Sequence, residues 1–392
     1  MIYHAILTAS LLLLLAFAIE HVSRRWGVPS VVLLIAVGMI GKIGLTYVGI
    51  ELTGLEVSVQ VLGTIGLVLI VLEGAFDIEL RRGRERLIGG ALIFAIVGLL
   101  VCAAVFSVLL AMGLSLPLNQ AILVAMSLSV ISSAVAIPSS QFLPERDREF
   151  VLYESSFSDI LGILLFFTVL NSDGTTSGFL VSLLGGSLLS LLFGAACAVG
   201  LLLILLRVGG HIRFIPLLAA MFALYAGGKL LGLSPLLMVL LFGLVINNLG
   251  LLSRVRGFAT LADETYAATI REFKSLTMEL TFAVRGFFFI LLGYWTDLAM
   301  FRHPRAWFVA ALALVIIYGS RRLLLSMQRP QHPHALRWIA PRGLITVLLF
   351  LQVKEVAELP SYIDGAVLLI VLFSAAAITM GRWSRSDGFR AD

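Results

Sequence analysis

Asp159 stands alone in the apolar run Phe157-Ser158-Asp159-Ile160-Leu161-Gly162-Ile163, and its position sets the chemistry to look for. An ionised carboxylate at the centre of a bilayer costs at least ~2.5 kcal/mol on insertion scales, so it is expected to face a water-filled cavity and to bind an ion or a proton there. Ser155 lies one helical turn earlier and shares its face, while Glu154 and Ser158 form the adjacent stripe. A second apolar run, 117–140, brings Ser132 and Ser133 to a similar depth and also holds Ser127, Ser129 and Pro138. That composition tolerates local unwinding where backbone carbonyls line a cavity. Carbonyls, hydroxyls and one carboxylate are hard oxygen ligands suited to an alkali cation. Asp159, Ser155 and Ser132 are therefore the expected ligands of a monovalent cation, with a proton competing for Asp159.

Arg342 interrupts another apolar run at Ala340-Pro341-Arg342-Gly343, at a depth matching that of Glu154. Either charge left unpaired there would be very costly, so a buried Glu154–Arg342 ion pair is expected, bracing the cavity rather than carrying ions. Arg285, in Thr281-Phe282-Ala283-Val284-Arg285-Gly286, is also near mid-depth. It either neutralises a carboxylate when the cation is absent or is tied to helix-end carbonyls. Glu73, near the end of its run, either snorkels to the interface or reaches the ion path.

Side chains like these need membrane-crossing helices, and the composition supplies them. Of 392 residues, 60% are apolar and 13% charged, against ~25% charged in soluble domains. The apolar runs are continuous and long enough to cross ~30 Å of hydrocarbon, whereas a β-barrel would alternate. The sequence predicts an all-α polytopic membrane protein with thirteen spans: 4–23, 29–48, 57–77, 87–113, 117–140, 149–170, 178–207, 212–230, 233–249, 273–297, 304–326, 336–356 and 362–382. The segment from Gly250 to Glu272, with Asp263, Glu264 and Arg271, is expected to hold a short surface helix, and no stretch is long enough for a soluble regulatory domain.

Arginines crowd the odd-numbered connections: Arg24 and Arg25; Arg81, Arg82, Arg84 and Arg86; Arg146 and Arg148; Arg207 and Arg213; Arg254 and Arg256; Arg321, Arg322 and Arg329. The positive-inside rule then places the N-terminus outside and the C-terminus in the cytoplasm, in a plasma membrane of the bacterial inner-membrane kind. The basic pI reflects this topology and not nucleic-acid binding. Met1-Ile2-Tyr3-His4 lacks the basic region of a cleaved signal peptide, so the first span is expected to be retained. Cys102 and Cys197 read as packing residues. The sequence offers no transition-metal spacing, phosphate loop or paired nucleophile and base, so neither an enzyme nor a cofactor is expected.

Glu154-Ser155-Ser156-Phe157-Ser158-Asp159 resembles the Glu-Ser-x-x-Asn-Asp signature of the monovalent cation/proton antiporters of the bacterial NhaP and animal NHE kind. Leu72-Glu73-Gly74 is similar to that family's Phe/Leu-Glu-Gly on the third span, and Arg342-Gly343 to its Arg-Gly on the twelfth. Phe287-Phe288-Phe289 through Gly293 and Gly232-Leu233-Ser234-Pro235 through Gly243-Leu244-Val245 are similar too, so the resemblance covers almost the whole chain. It implies two inverted repeats, spans 1–6 and 8–13, with broken crossing helices at spans 5 and 12. It also implies a scaffold of residues 1–86 and 178–302 (the linking span 7 included), a mobile core of residues 87–177 and 303–392, and a homodimer in the bilayer. Ser190 and Gly194 in span 7 would permit close helix contacts. Two departures stand out. Ser132-Ser133-Ala134 replaces the family's Thr-Asp-Pro, and Ser158 its Asn, so Ser133 and Ser158 join the candidate site with less charge and fewer amide ligands.

The expected function is exchange of a monovalent alkali cation, Na+ first, for a proton, serving pH homeostasis. Competition for one carboxylate would couple the two fluxes. The alternatives are a cation channel or ion-gated sensor on the same fold, or an exchanger of K+ or an organic cation; a channel would need a continuous multi-site pore.

Overall fold

The structure, a computed structural model, describes residues 2–47, 55–78, 83–114, 116–172, 178, 181–207, 214–248, 264–328 and 333–382. Arg81, Arg82, Arg213, Arg254, Arg256, Asp263 and Arg329 lie outside the described residues. So does 249–263, where most of the expected surface helix falls; Glu264 to Glu272 instead open a long helix.

No described residue is in a strand. The helices are α1 (Ile2–Trp26), α2 (Ser30–Tyr47), α3 (Leu55–Asp77), α4 (Glu85–Leu114), α5 (Leu118–Ser129), α6 (Ser133–Ser139), α7 (Glu145–Leu170) and α8 (Leu188–Arg207). They continue as α9 (Phe214–Leu230), α10 (Pro235–Asn247), α11 (Glu264–Trp295), α12 (Pro304–Gln328), α13 (Pro333–Leu336), α14 (Leu344–Val356) and α15 (Tyr362–Ala376). Each of the thirteen predicted spans overlaps a described helix; the fifth is split into α5 and α6, and the twelfth is helical only from Leu344, α13 ending at its first residue. Among the described residues seven helices are long and apolar enough to cross a membrane, and four apolar ones are shorter. The longest runs follow directly from composition: α4 has no charged residue after Arg86, so its hydrogen-bonded backbone is screened by apolar side chains through the whole hydrocarbon layer.

The two interruptions position the site. Between α5 and α6 the chain is extended at Val130 and Ser132, and β-branched Val130 and Ile131 favour that conformation over helix. Between α13 and α14, Pro341 lacks the N–H that a continuous helix needs. α7 is the hub: it packs against α3, α4, α5 and α6, and α14 lies along α5.

Other helices frame this centre. α2 and α11 touch backbone to backbone, because a Cβ on Gly38 would stand 2.1 Å from the Ile290 carbonyl oxygen, and one on Gly293 2.1 Å from that of Ile35. The open carbonyls at the end of α3 are met by side chains: Asn247 and Lys274 donate to Phe76 O, and Asn247 and Asn248 to Ile78 O. Ser190 and Gly194 are used within the chain. The Ser190 hydroxyl accepts from Ser234 N, and a Cβ on Gly194 would lie 2.9 Å from Met238 Cα.

Candidate functional site

Breaking a helix frees backbone groups, and where they go defines the site. Had α5 continued, the N–H groups of Ile131, Ser132 and Ser133 would have bonded back up the helix. Instead Ile131 N–H donates to Ser158 Oγ (2.9 Å), Ser132 N–H to the Pro341 carbonyl (2.9 Å) and Ser133 N–H to Asp159 Oδ2 (3.0 Å). The Ser132–Pro341 bond joins the two broken spans where they cross. Gly343 makes that closeness possible, since a Cβ there would lie 2.5 Å from Ser132 Oγ. The Leu128 carbonyl at the end of α5, left without its helical donor, accepts from Arg342 Nε at 2.6 Å.

The helix ends therefore sort the charges. A cation sits at the C-terminal end of α5 and a carboxylate at the N-terminal end of α6, each on the favourable side of the helix dipole. Asp159 is 5% exposed, and its second oxygen, Oδ1, is buried without a partner. Ser132 Oγ, Ser156 Oγ and Thr346 Oγ1 are likewise buried without a partner. Ser155, on the face of Asp159, donates to Val151 O (2.7 Å) and keeps its oxygen lone pairs. Such oxygens match the hard donor set that an alkali cation takes.

The expected Glu154–Arg342 pair is corrected. Glu154 is held by Arg321 of α12 in a two-pronged bond, Nη1 to Oε1 and Nη2 to Oε2, the latter at 3.0 Å. Arg321 Nε donates to Leu336 O at 2.8 Å, and the guanidinium lies over the Phe94 ring. Both residues of the pair are nearly fully buried, at 2% and 4% exposure. The sequence count puts Arg321 in a connection with Arg322. Its signal was available in its place, a full turn and more inside the α12 end at Gln328. Arg342, 1% exposed, spends its donors on backbone: beyond Leu128 O it reaches Ala340 O at 3.4 Å, and its own N–H donates to Ser374 Oγ. A cavity of about 20 Å³, room for about one water, lies among Glu154, Ser158, Arg321 and Arg342.

Arg285 takes the carbonyl option. Its Nη1 donates to Ala134 O at 3.4 Å. That carbonyl is free because Pro138, four residues on in α6, has no N–H to give it. Arg285 also acts electrostatically on Glu73, which is half-buried on α3, and Glu73 and Asp77 in turn act on Asp159. Ser158 does backbone work at the break, and Ser133 contributes its N–H. Sequence reasoning did not find Arg321, Ser374, Ser156 or Thr346; Ser374 and Thr346 are single hydroxyls in apolar helices and Ser156 one of several in α7, so their use depends on which neighbour they face.

No curated protein matches this sequence. The solved structure of the sodium proton antiporter MjNhaP1 from Methanocaldococcus jannaschii at pH 8 shares its fold, with a TM-score of 0.74 and 20% identity over 98% of this chain and 97% of that one. An electron-microscopy structure of the same antiporter gives a TM-score of 0.73 and 19% identity over 99% and 97% of the two chains. The profile of the transmembrane sodium/hydrogen exchanger family matches residues 9–381. Matched from its first helix to its last, the chain belongs to the sodium/hydrogen exchanger family.

Proposed function

We propose that the protein is a secondary active antiporter that exchanges a monovalent alkali cation, Na+ first, for H+ at Asp159. Family membership supports cation/proton antiport in general; one observation carries the choice of residue. Asp159 is a buried carboxylate with one oxygen fixed by Ser133 N–H and the other open, set between two broken helices. The open oxygen takes either a proton or, with Ser155 and Ser132 and carbonyls of the break, a cation. Both cannot be held at once, so a core that crosses only when the carboxylate is neutralised exchanges one for the other.

A cavity of about 280 Å³ offers a route in. It runs from Glu20 and Ser30 near the α1–α2 turn, past Gln141, to Ala134 and Val135 beside Ser133. In this reading 87–177 and 303–392 move as a core against the remaining helices, and Arg285, reaching from α11 to α6, is a contact that must break and re-form. The homodimer that the family resemblance implies is carried as part of the same proposal.

The test is proton flux in proteoliposomes driven by each alkali cation in turn. Cation-dependent flux with Na+ the best substrate is expected. Flux without any cation dependence, or a current that persists without countertransport, would favour a channel and overturn the reading.

A further inference from the structure

At the end of α12 lies a second pocket, unrelated to the ion site. It is an open depression of about 310 Å³ lined by Tyr318, Gly319, Arg322, Arg337 and Trp338. Neither arginine is in an ion pair among the described residues. The Arg337 guanidinium lies over the Trp338 ring, 5.6 Å from its centroid, which fixes its plane, and its Nε is buried without an acceptor. Trp338 in turn packs on Tyr318 with ring centroids 5.6 Å apart.

The unmet buried donor of Arg337 calls for an anion, and the exposed Arg322 adds a second positive charge at the same mouth. A guanidinium fork matches the oxygens of a phosphate. The setting is that of a lipid headgroup. Tyr and Trp mark the interface level of a bilayer, and the same helix end exposes Leu323 (62%) and Met327 (76%), an apolar flank for acyl chains. We propose that this pocket binds the phosphate of an anionic phospholipid, from the leaflet facing the arginine-rich loops.

The site adjoins the machinery without belonging to it. Arg337 follows Leu336, whose carbonyl holds Arg321 Nε, and the chain then runs on to Pro341 and Arg342 at the crossing. A bound phosphate would pin this segment from its outer end. The inference needs only the membrane fold, and it stands whether or not Asp159 is the carrier.

Tryptophan quenching tests it. In nanodiscs, brominated phosphatidylglycerol diluted in plain phosphatidylcholine is expected to quench more than brominated phosphatidylcholine at the same fraction. The expected local enrichment is roughly five-fold per arginine. Trp338→Phe should remove the excess, and Arg322→Gln with Arg337→Gln should equalise the two lipids. Arg337→Lys, a milder variant, should keep part of the preference because it keeps the charge while losing the fork. Thermal stability in detergent separates the sources: short-chain phosphatidylglycerol should stabilise the wild type, and inorganic phosphate alone should not. Equal quenching by both lipids in the wild type, or equal stabilisation by inorganic phosphate, overturns the proposal.

Discussion

Glu154 and Asp159 sit five residues apart on one helix, both almost fully buried, and their surroundings differ in every respect that matters. Both oxygens of Glu154 are taken by the Arg321 fork, whose remaining Nε is fixed to a carbonyl. Asp159 has no arginine on it, one backbone N–H on Oδ2, and an open Oδ1. A saturated buried pair is a brace, because any change leaves a charge without compensation. A half-satisfied carboxylate is a binding site, since a small ion or a proton completes it.

The comparison breaks most visibly in activity. Asp159→Asn should abolish cation-driven proton flux while the purified protein stays folded, because the amide still accepts from Ser133 N–H but cannot trade a proton. Wild-type flux from a correctly inserted mutant would remove Asp159 from the cycle. Glu154→Gln should act the other way round and show first in stability. Orphaning Arg321 is expected to destabilise the protein by about 3–5 kcal/mol, with Arg321→Gln similar and the double variant recovering part. A thermal-melt cycle should give Glu154 a larger coupling to Arg321 than to Arg342; the reverse order would restore the pairing that equal depth alone suggested.

Smaller effects sharpen the site. Gly343→Ala should cost about 1–3 kcal/mol by pushing the two crossings apart at Ser132, read as a lowered melting temperature. Ser133→Asp should shift apparent cation affinity or preference more than Ser129→Asp, because Ser133 adjoins Asp159 whereas the Ser129 hydroxyl points back to Ala125 O in its own helix. Identical cation profiles for the two folded variants would exclude Ser133. The smallest expected effect is none at all. With Glu154 locked, one carboxylate trades one proton for one cation, so the exchange rate should ignore a valinomycin-clamped potential, potassium transport being controlled for. A net charge moved per cycle would instead couple by ~2.3 kcal/mol per 100 mV.

The sequence by itself determined the membrane class, the all-helical fold and the place of Asp159 midway along its helix, because each rests on a one-dimensional quantity: apolar length, or residues counted from a helix end. The serines and Pro138 of span 5 marked a stretch that tolerates unwinding, and the family resemblance implied breaks at spans 5 and 12; that the first break falls at Val130 and Ser132 came from the structure. Partnership is where the one-dimensional reading stopped. Glu154 and Arg342 share a depth, but depth leaves the rotation of each helix open, and Arg321 on α12 was turned toward Glu154 while Arg342 was drawn to the carbonyl that the α5 break had freed. Only the tertiary structure brought the Ser132 N–H onto Pro341 and the Ser133 N–H onto Asp159. Those bonds join residues far apart in the chain, and they form because backbone groups released in a medium without water must be met by whatever the crossing places beside them.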